Sequence, residues 1–195
     1  MLLIAHRGAS GEAPENTFAA FILALAHQAD GVEADVRLSS DGVPILIHDP
    51  RLDRTAGQPG QVADKDYSDL APLDVGSWKD AKFAAERMPR LDEVVRWSAD
   101  NQVLLRLDCK AVERDVASLV RQVTSILWAV GDGLAPAEVM SSSPKALAAA
   151  KQTHPGVRTG LVVTNRMADP LSSAKAARSD WMHMHWPRVT AEIVD

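Results

Sequence analysis

The sequence holds a single cysteine, Cys109, and few ring side chains: one tyrosine and three phenylalanines among 195 residues. One cysteine excludes an internal disulfide framework and fits a reducing compartment. Basic residues are outnumbered, 21 against 26 acids, and a formal charge of -5 excludes a broad electrostatic footprint for nucleic acid. Any phosphate recognition must therefore be local. Long apolar runs are missing as well, so no stretch approaches a membrane span, and residues 1–6 lack the charged start and length of a secretory leader. The expected location is the cytoplasm.

What is present is enough apolar material for one core. At 46% hydrophobic content the chain reads as one globular domain, residues 1–195. Residues 2–6 read as a strand, followed by a helix capped by Asn16 with Phe18, Phe21, Ile22 and Leu25 at helical spacing. Residues 31–37 form the next strand and 43–48 return from it as a hairpin through Asp41-Gly42. Irregular sequence rich in glycine and proline then fills 49–88, a length usually reserved for a functional loop or a disordered one.

Beyond Pro89 helices and strands alternate. A helix carries Leu91, Val94 and Val95 inward with Asp92 and Glu93 in its first turn, and strand 102–108 follows. Residues 113–130 carry one apolar stripe of Val116, Leu119, Val120, Val123 and Leu127. Strands are expected at 138–142, 157–163 and 181–185, with helices opened by Ser143-Pro144 and spanning 169–178, and Thr190 caps a last helix. Such alternation predicts an α/β fold with parallel strands and outer helices, as an open doubly wound sheet or a barrel. In both, ligand chemistry gathers at the carboxyl ends of the strands, where His6, Glu33, Asp35, Asp108 and Lys110 fall.

Alternation also says which groups meet. Glu33 and Asp35, two apart on a strand, share a face, and a two-residue Asp41-Gly42 turn would set Asp35 opposite His48. Taken alone, an acidic pair at a strand end is a solvated edge. With Asp108 it becomes three hard oxygen donors suited to Mg²⁺ or Ca²⁺. His6 and His48 could take one proton and deliver another near neutral pH, while Arg7 and Lys110 could clamp a phosphoryl group or pair with the acids. His183 and His185 share a strand face near Trp186. They read as substrate contacts at the mouth, a second metal site or ordinary packing, although two histidines make an incomplete zinc site.

These residues carry a resemblance to the glycerophosphodiester phosphodiesterase family, within the phospholipase-C-like phosphodiesterases. It rests on His6-Arg7-Gly8, Pro14-Glu15-Asn16-Thr17, Glu33-x-Asp35-Val36, Asp41-Gly42, His48-Asp49, Leu52-x-Arg54-Thr55 and Pro89-x-Leu91-x-Glu93-Val94, in order over the first half. The resemblance implies a TIM-type (β/α) barrel with an accessory hairpin strand and residues 49–88 as an inserted cap. It also implies metal binding by Glu33 and Asp35, acid and base work by His6 and His48, and a small-molecule glycerophosphodiester as substrate. In the family reaction the neighbouring glycerol hydroxyl attacks phosphorus, and water opens the resulting cyclic phosphate to glycerol 3-phosphate.

Three departures stand against that pattern. Asp108-Cys109-Lys110 replaces the family's Glu-x-Lys, leaving the third ligand one methylene short, and Ser142-Ser143 replaces a Ser-Phe pair. Six barrel strands are expected rather than eight, in a chain shorter than the roughly 250 residues of a full barrel. An unclosed sheet of this kind invites a second copy or an exchanged strand to cover its edges.

Overall fold

A computed structural model describes residues 2–110, 116–130, 137–185, 187 and 189. The chain runs β1 (Ile4–His6), α1 (Phe18–Ala26), β2 (Gly31–Leu38), β3 (Pro44–Leu46), α2 (Asp53–Ala56), α3 (Tyr67–Leu70) and α4 (Leu91–Asn101). It continues with β4 (Leu104–Cys109), α5 (Val116–Val130), β5 (Ala137–Ser141), α6 (Pro144–Thr153), β6 (Arg158–Val162), α7 (Pro170–Ala177) and β7 (Trp181–His183). Six parallel strands lie in the order β1-β2-β4-β5-β6-β7, a barrel sector with helices outside. Among the described residues β1 and β7 do not pair with one another. The helix expected after Thr190 falls outside the described residues.

Helix boundaries follow local chemistry. Ser143 caps α6 by accepting the Ala146 N–H, with Pro144 preset for the first turn, and Asp169 does the same for α7 through Ser172. Glu93 accepts the Arg90 backbone N–H at 3.1 Å and tightens the start of α4. The expected cap at Asn16 is displaced by one: Thr17 accepts the Ala20 N–H, which frees Asn16 for another task.

The core lies between the outer sheet face and the helices. Phe21 of α1, Leu91, Val94 and Val95 of α4, and Leu119, Val120 and Val123 of α5 close over Val32, Ala34, Leu105, Leu107 and Val139. Each fully buried Leu or Val contributes about 1.5–3 kcal/mol of transfer free energy. The predicted α5 stripe is buried as expected. Residues 49–88 are not a bare loop: α2, α3 and two short 3₁₀ turns place Leu52, Val62, Leu70, Val75 and Met88 in a small core shared with Ile45 and Ile47.

The inner sheet face carries the charge. Because Gly31 pairs with both Ile4 and Leu104, and Val36 with both Leu46 and Cys109, β1 and β3 share one edge of β2 and β4 takes the other. The hairpin register differs from expectation by one residue: Asp35 lies opposite Ile47, with the Ile47 N–H donating to its carbonyl at 3.0 Å. The loop is Ser40-Asp41-Gly42, closed by the Ser39 N–H on the Val43 carbonyl at 3.1 Å. Gly42, at φ 81°, supplies the left-handed residue that a three-residue loop needs. His48 reaches the site because the chain leaves the sheet after Leu46, not through strand alternation.

Candidate active site

Five segments converge at the carboxyl ends of the strands. β1 delivers His6 and Arg7, the loop after it Glu15 and Asn16, β2 Glu33 and Asp35, and β4 Asp108 and Lys110, while His48 and Asp49 enter from the exit of β3. The loop after β1 is wound tightly, with Arg7 at φ 59°, Gly8 at 77° and Asn16 at 58°. A Cβ on Gly8 would lie 2.7 Å from the Ala20 backbone of α1, so the His-Arg-Gly motif needs glycine for both conformation and space.

Glu33, Asp35 and Asp108 bring one oxygen each within 4.8 Å of one another, all three buried. The shorter Asp108 thus still converges. Asp35, 1% exposed, accepts from Asn16 Nδ2 at 3.0 Å and returns its backbone N–H to Asn16 Oδ1 at 3.0 Å. Its Oδ1 has no hydrogen-bond partner among the described residues, the Lys110 ammonium standing 3.5 Å away. Arg7 Nε lies 3.1 Å from Asp35 Oδ2 but is not aligned to donate to it. A buried, under-satisfied carboxylate amid two others is the donor chemistry of a hard divalent cation, and these residues fit one.

Proton affinities record the crowding. Burial, with Asp35 and Asp108 beside it, pushes Glu33 up to about 8, and burial likewise raises Asp108. Lys110 contacts Asp108 at 2.5 Å; burial opposes its charge, but the acids outweigh that and hold the ammonium above its ordinary value. His6 Nε2 is 3.8 Å from Glu33, and partial burial with Arg7 nearby lowers its proton affinity. His48 Nδ1 pairs with Asp49 at 2.7 Å, and Arg54 holds Asp49 down at about 2. Arg54 also donates twice to Glu15, whose other contact is Arg7 at 3.0 Å.

The profile of the Glycerophosphoryl diester phosphodiesterase family matches residues 6–194. The chain belongs to this family of phosphoric diester hydrolases. Among curated relatives, the glycerophosphodiester phosphodiesterase of Caldanaerobacter subterraneus subsp. tengcongensis is 30% identical over 201 residues, covering 100% of this chain and 79% of that protein. YhdW of Bacillus subtilis (strain 168) is 50% identical over 96 residues, 49% of this chain but only 40% of its own length. An Oleispira antarctica phosphodiesterase, solved with the product sn-glycerol-3-phosphate, superposes with a TM-score of 0.91 at 30% identity, over 100% of this chain and 78% of that one. The family's TIM-barrel architecture accounts for the six parallel strands seen here.

The expected residues divide into two groups. His6, Arg7, Glu33, Asp35, His48, Asp108 and Lys110 come together; His183 and His185 do not join them. β7 stops at His183, so the expected shared face does not extend to His185, which is exposed. His183 Nε2 is buried without a hydrogen-bond partner among the described residues, and burial together with Arg106 lowers its proton affinity to about 4. Trp186 lies outside the described residues. The sequence placed none of Glu15, Asn16 and Arg54 in the site and read Asn16 as a helix cap, although all three stand in the motifs Pro-Glu-Asn-Thr and Leu-x-Arg-Thr.

Proposed function

We propose that this chain hydrolyses glycerophosphodiesters to glycerol 3-phosphate and an alcohol, dependent on a divalent cation, Mg²⁺ or Ca²⁺. The observation that carries the reading is the convergence of three buried carboxylates with two histidines at the carboxyl ends of the strands. Glu33, Asp35 and Asp108 would hold the ion. When bound, such an ion supplies positive charge against the phosphoryl oxygens. Asn16 holds the Asp35 carboxylate in place from behind, and Arg7 and Lys110 keep cationic charge beside the acids, where a substrate phosphate would meet it.

His6 and His48 serve as the acid–base pair. Asp49 on Nδ1 orients the His48 ring and leaves Nε2 to exchange a proton with substrate. His6, whose side chain is 69% exposed, offers its imidazole to an entering ligand. One takes the proton of the neighbouring glycerol hydroxyl as it attacks phosphorus; the other protonates the departing alcohol oxygen. Water then opens the cyclic phosphate with the roles reversed.

Residues 49–88 are proposed as the cap of this site, since Arg54 and Lys79 reach back to Glu15 and the Ser10 carbonyl. Among the described residues no helix is long and apolar enough to cross a membrane. A cytoplasmic location is proposed from the lone buried Cys109. A second copy is proposed to cover the open sheet edges. The test is turnover of glycerophosphocholine with Mg²⁺ or Ca²⁺ by the parent chain, His6→Ala and His48→Ala. Turnover in the parent and its loss in each variant are expected; unchanged turnover in a variant removes that histidine from the reaction. A chain that binds the ester without turnover would be a phosphate-ester-binding homologue instead.

A further inference from the structure

Arg37 continues the row that begins with Glu33 and Asp35, two residues further along β2 on the same face. Its guanidinium contacts none of the three clustered acids. Instead Nε donates to the backbone carbonyl of His48 at 2.8 Å, and Nη1 donates to the backbone carbonyl of Lys110 at 3.0 Å. These acceptors belong to segments 11 and 73 residues away in sequence. One enters from the exit of β3 and the other ends β4.

Among the described residues neither carbonyl accepts another hydrogen bond. His48 lies beyond the last ladder residue of β3, Leu46, so no strand hydrogen bonding holds its peptide. Lys110 follows the last residue of β4, and its N–H donates to the Val36 carbonyl at 2.9 Å. Arg37 thus completes the clamp on Lys110 and supplies the fixed point for His48. A planar guanidinium can hold two carbonyls in a set relation, which a flexible ammonium cannot. Burial lowers its proton affinity from the ordinary value, against the charges of Asp35, Asp49 and Asp108, which favour the cation.

We propose that Arg37 is a positioning residue, fixing the His48 imidazole and the Lys110 ammonium relative to one another across the β2–β3 and β2–β4 seams. This rests on the phosphodiesterase reading for its effect on turnover, but not for its effect on structure. A displacement of about 1 Å at a reacting group can cost on the order of 100-fold in rate. A cavity of about 310 Å³, lined by Arg37 and Lys110, opens beside the guanidinium.

The test compares Arg37→Met, Arg37→Ala and Arg37→Lys with the parent in two readouts. The first is NMR of ¹⁵N-labelled histidine rings in the parent and Arg37→Met, with His48 assigned through His48→Gln. Shifted or broadened His48 signals are expected in Arg37→Met, while His27, remote on the helix side, stays unchanged. The second is kinetics: kcat lower by roughly 10- to 100-fold in Arg37→Met with KM within about threefold, an intermediate value in Arg37→Lys, and partial recovery of Arg37→Ala by added guanidinium. A merely structural role would lower thermal stability without guanidinium rescue. Unchanged His48 signals, or kcat within about twofold of the parent in Arg37→Met, would overturn the inference. Absence of turnover in the parent would defeat the phosphodiesterase reading alone, and the NMR comparison would still decide the role of Arg37.

Discussion

Asn16→Ala tests how the site is held together. Asn16 is 2% exposed and makes a reciprocal pair with Asp35, donating to Oδ2 and accepting from the backbone N–H, both at 3.0 Å. Losing the bond to a carboxylate costs about 1.5–3 kcal/mol, and leaving the buried Asp35 N–H without an acceptor costs about 1–3 kcal/mol. Asn16 also sits at φ 58°, a conformation that asparagine tolerates and alanine resists by about 1 kcal/mol. The expected loss is therefore about 3.5–7 kcal/mol in the unfolding free energy, reduced where water fills the space. Asn16→Gly removes the same bonds but not the backbone conformation, and should lose about 1 kcal/mol less. Urea unfolding followed by circular dichroism measures both. A loss below about 1 kcal/mol in Asn16→Ala would refute the claim that this pair anchors the site.

Gly8→Ala should destabilise by several kcal/mol, roughly 3 or more, since it combines a positive φ with a 2.7 Å clash against the α1 backbone. A variant with parent-like thermal unfolding would contradict the close approach. Without divalent cation, the Glu33 contribution to stability should be lost as pH rises from the ordinary carboxyl value of 4.5 toward about 8. The sign follows because the folded state keeps the Glu33 proton through that window while the unfolded chain releases it. Glu33→Gln should flatten the decline, and added Mg²⁺ or Ca²⁺ should raise the melting temperature more at the upper end. A metal-free Glu33→Gln variant whose stability follows the parent's pH dependence across the same window would sink this account. At the other extreme, the Asp49 contribution is present above the ordinary value of 3.8 and is lost as pH falls toward about 2, so Arg54→Met should shift that acid limb upward.

Much of the arrangement was legible because it is local or periodic. Apolar runs placed every parallel strand, the α5 stripe was buried as read, and Ser143-Pro144 capped α6. The convergence of Glu33, Asp35 and Asp108 was legible because strand ends share one rim in any parallel α/β fold. The hairpin register was not. Asp-Gly reads as a two-residue turn, but the Ser39 hydroxyl accepts the Val43 N–H at 2.9 Å and widens the loop to three. A slip of one residue normally inverts every side chain. Here His48 escapes because it stands outside the ladder.

The roles of Asn16 and Arg37 were hidden for a different reason. Asn16 has the chemistry of a helix cap and stands one residue before the actual cap, so local propensity points to the wrong task. Its partner Asp35 is 19 residues away, and those of Arg37 are 11 and 73 away. No periodicity encodes such contacts. They arise only when the strands assemble.

The central claim is that three buried carboxylates and two histidines form a metal-dependent phosphodiesterase site. The most direct measurement is release of sn-glycerol 3-phosphate from glycerophosphocholine by the purified chain, followed by ³¹P NMR with Mg²⁺, with Ca²⁺ and with excess chelator. The account predicts product with at least one cation, none with chelator, and none from Asp35→Asn under any condition. Product formed equally in chelator, or by Asp35→Asn, would contradict it.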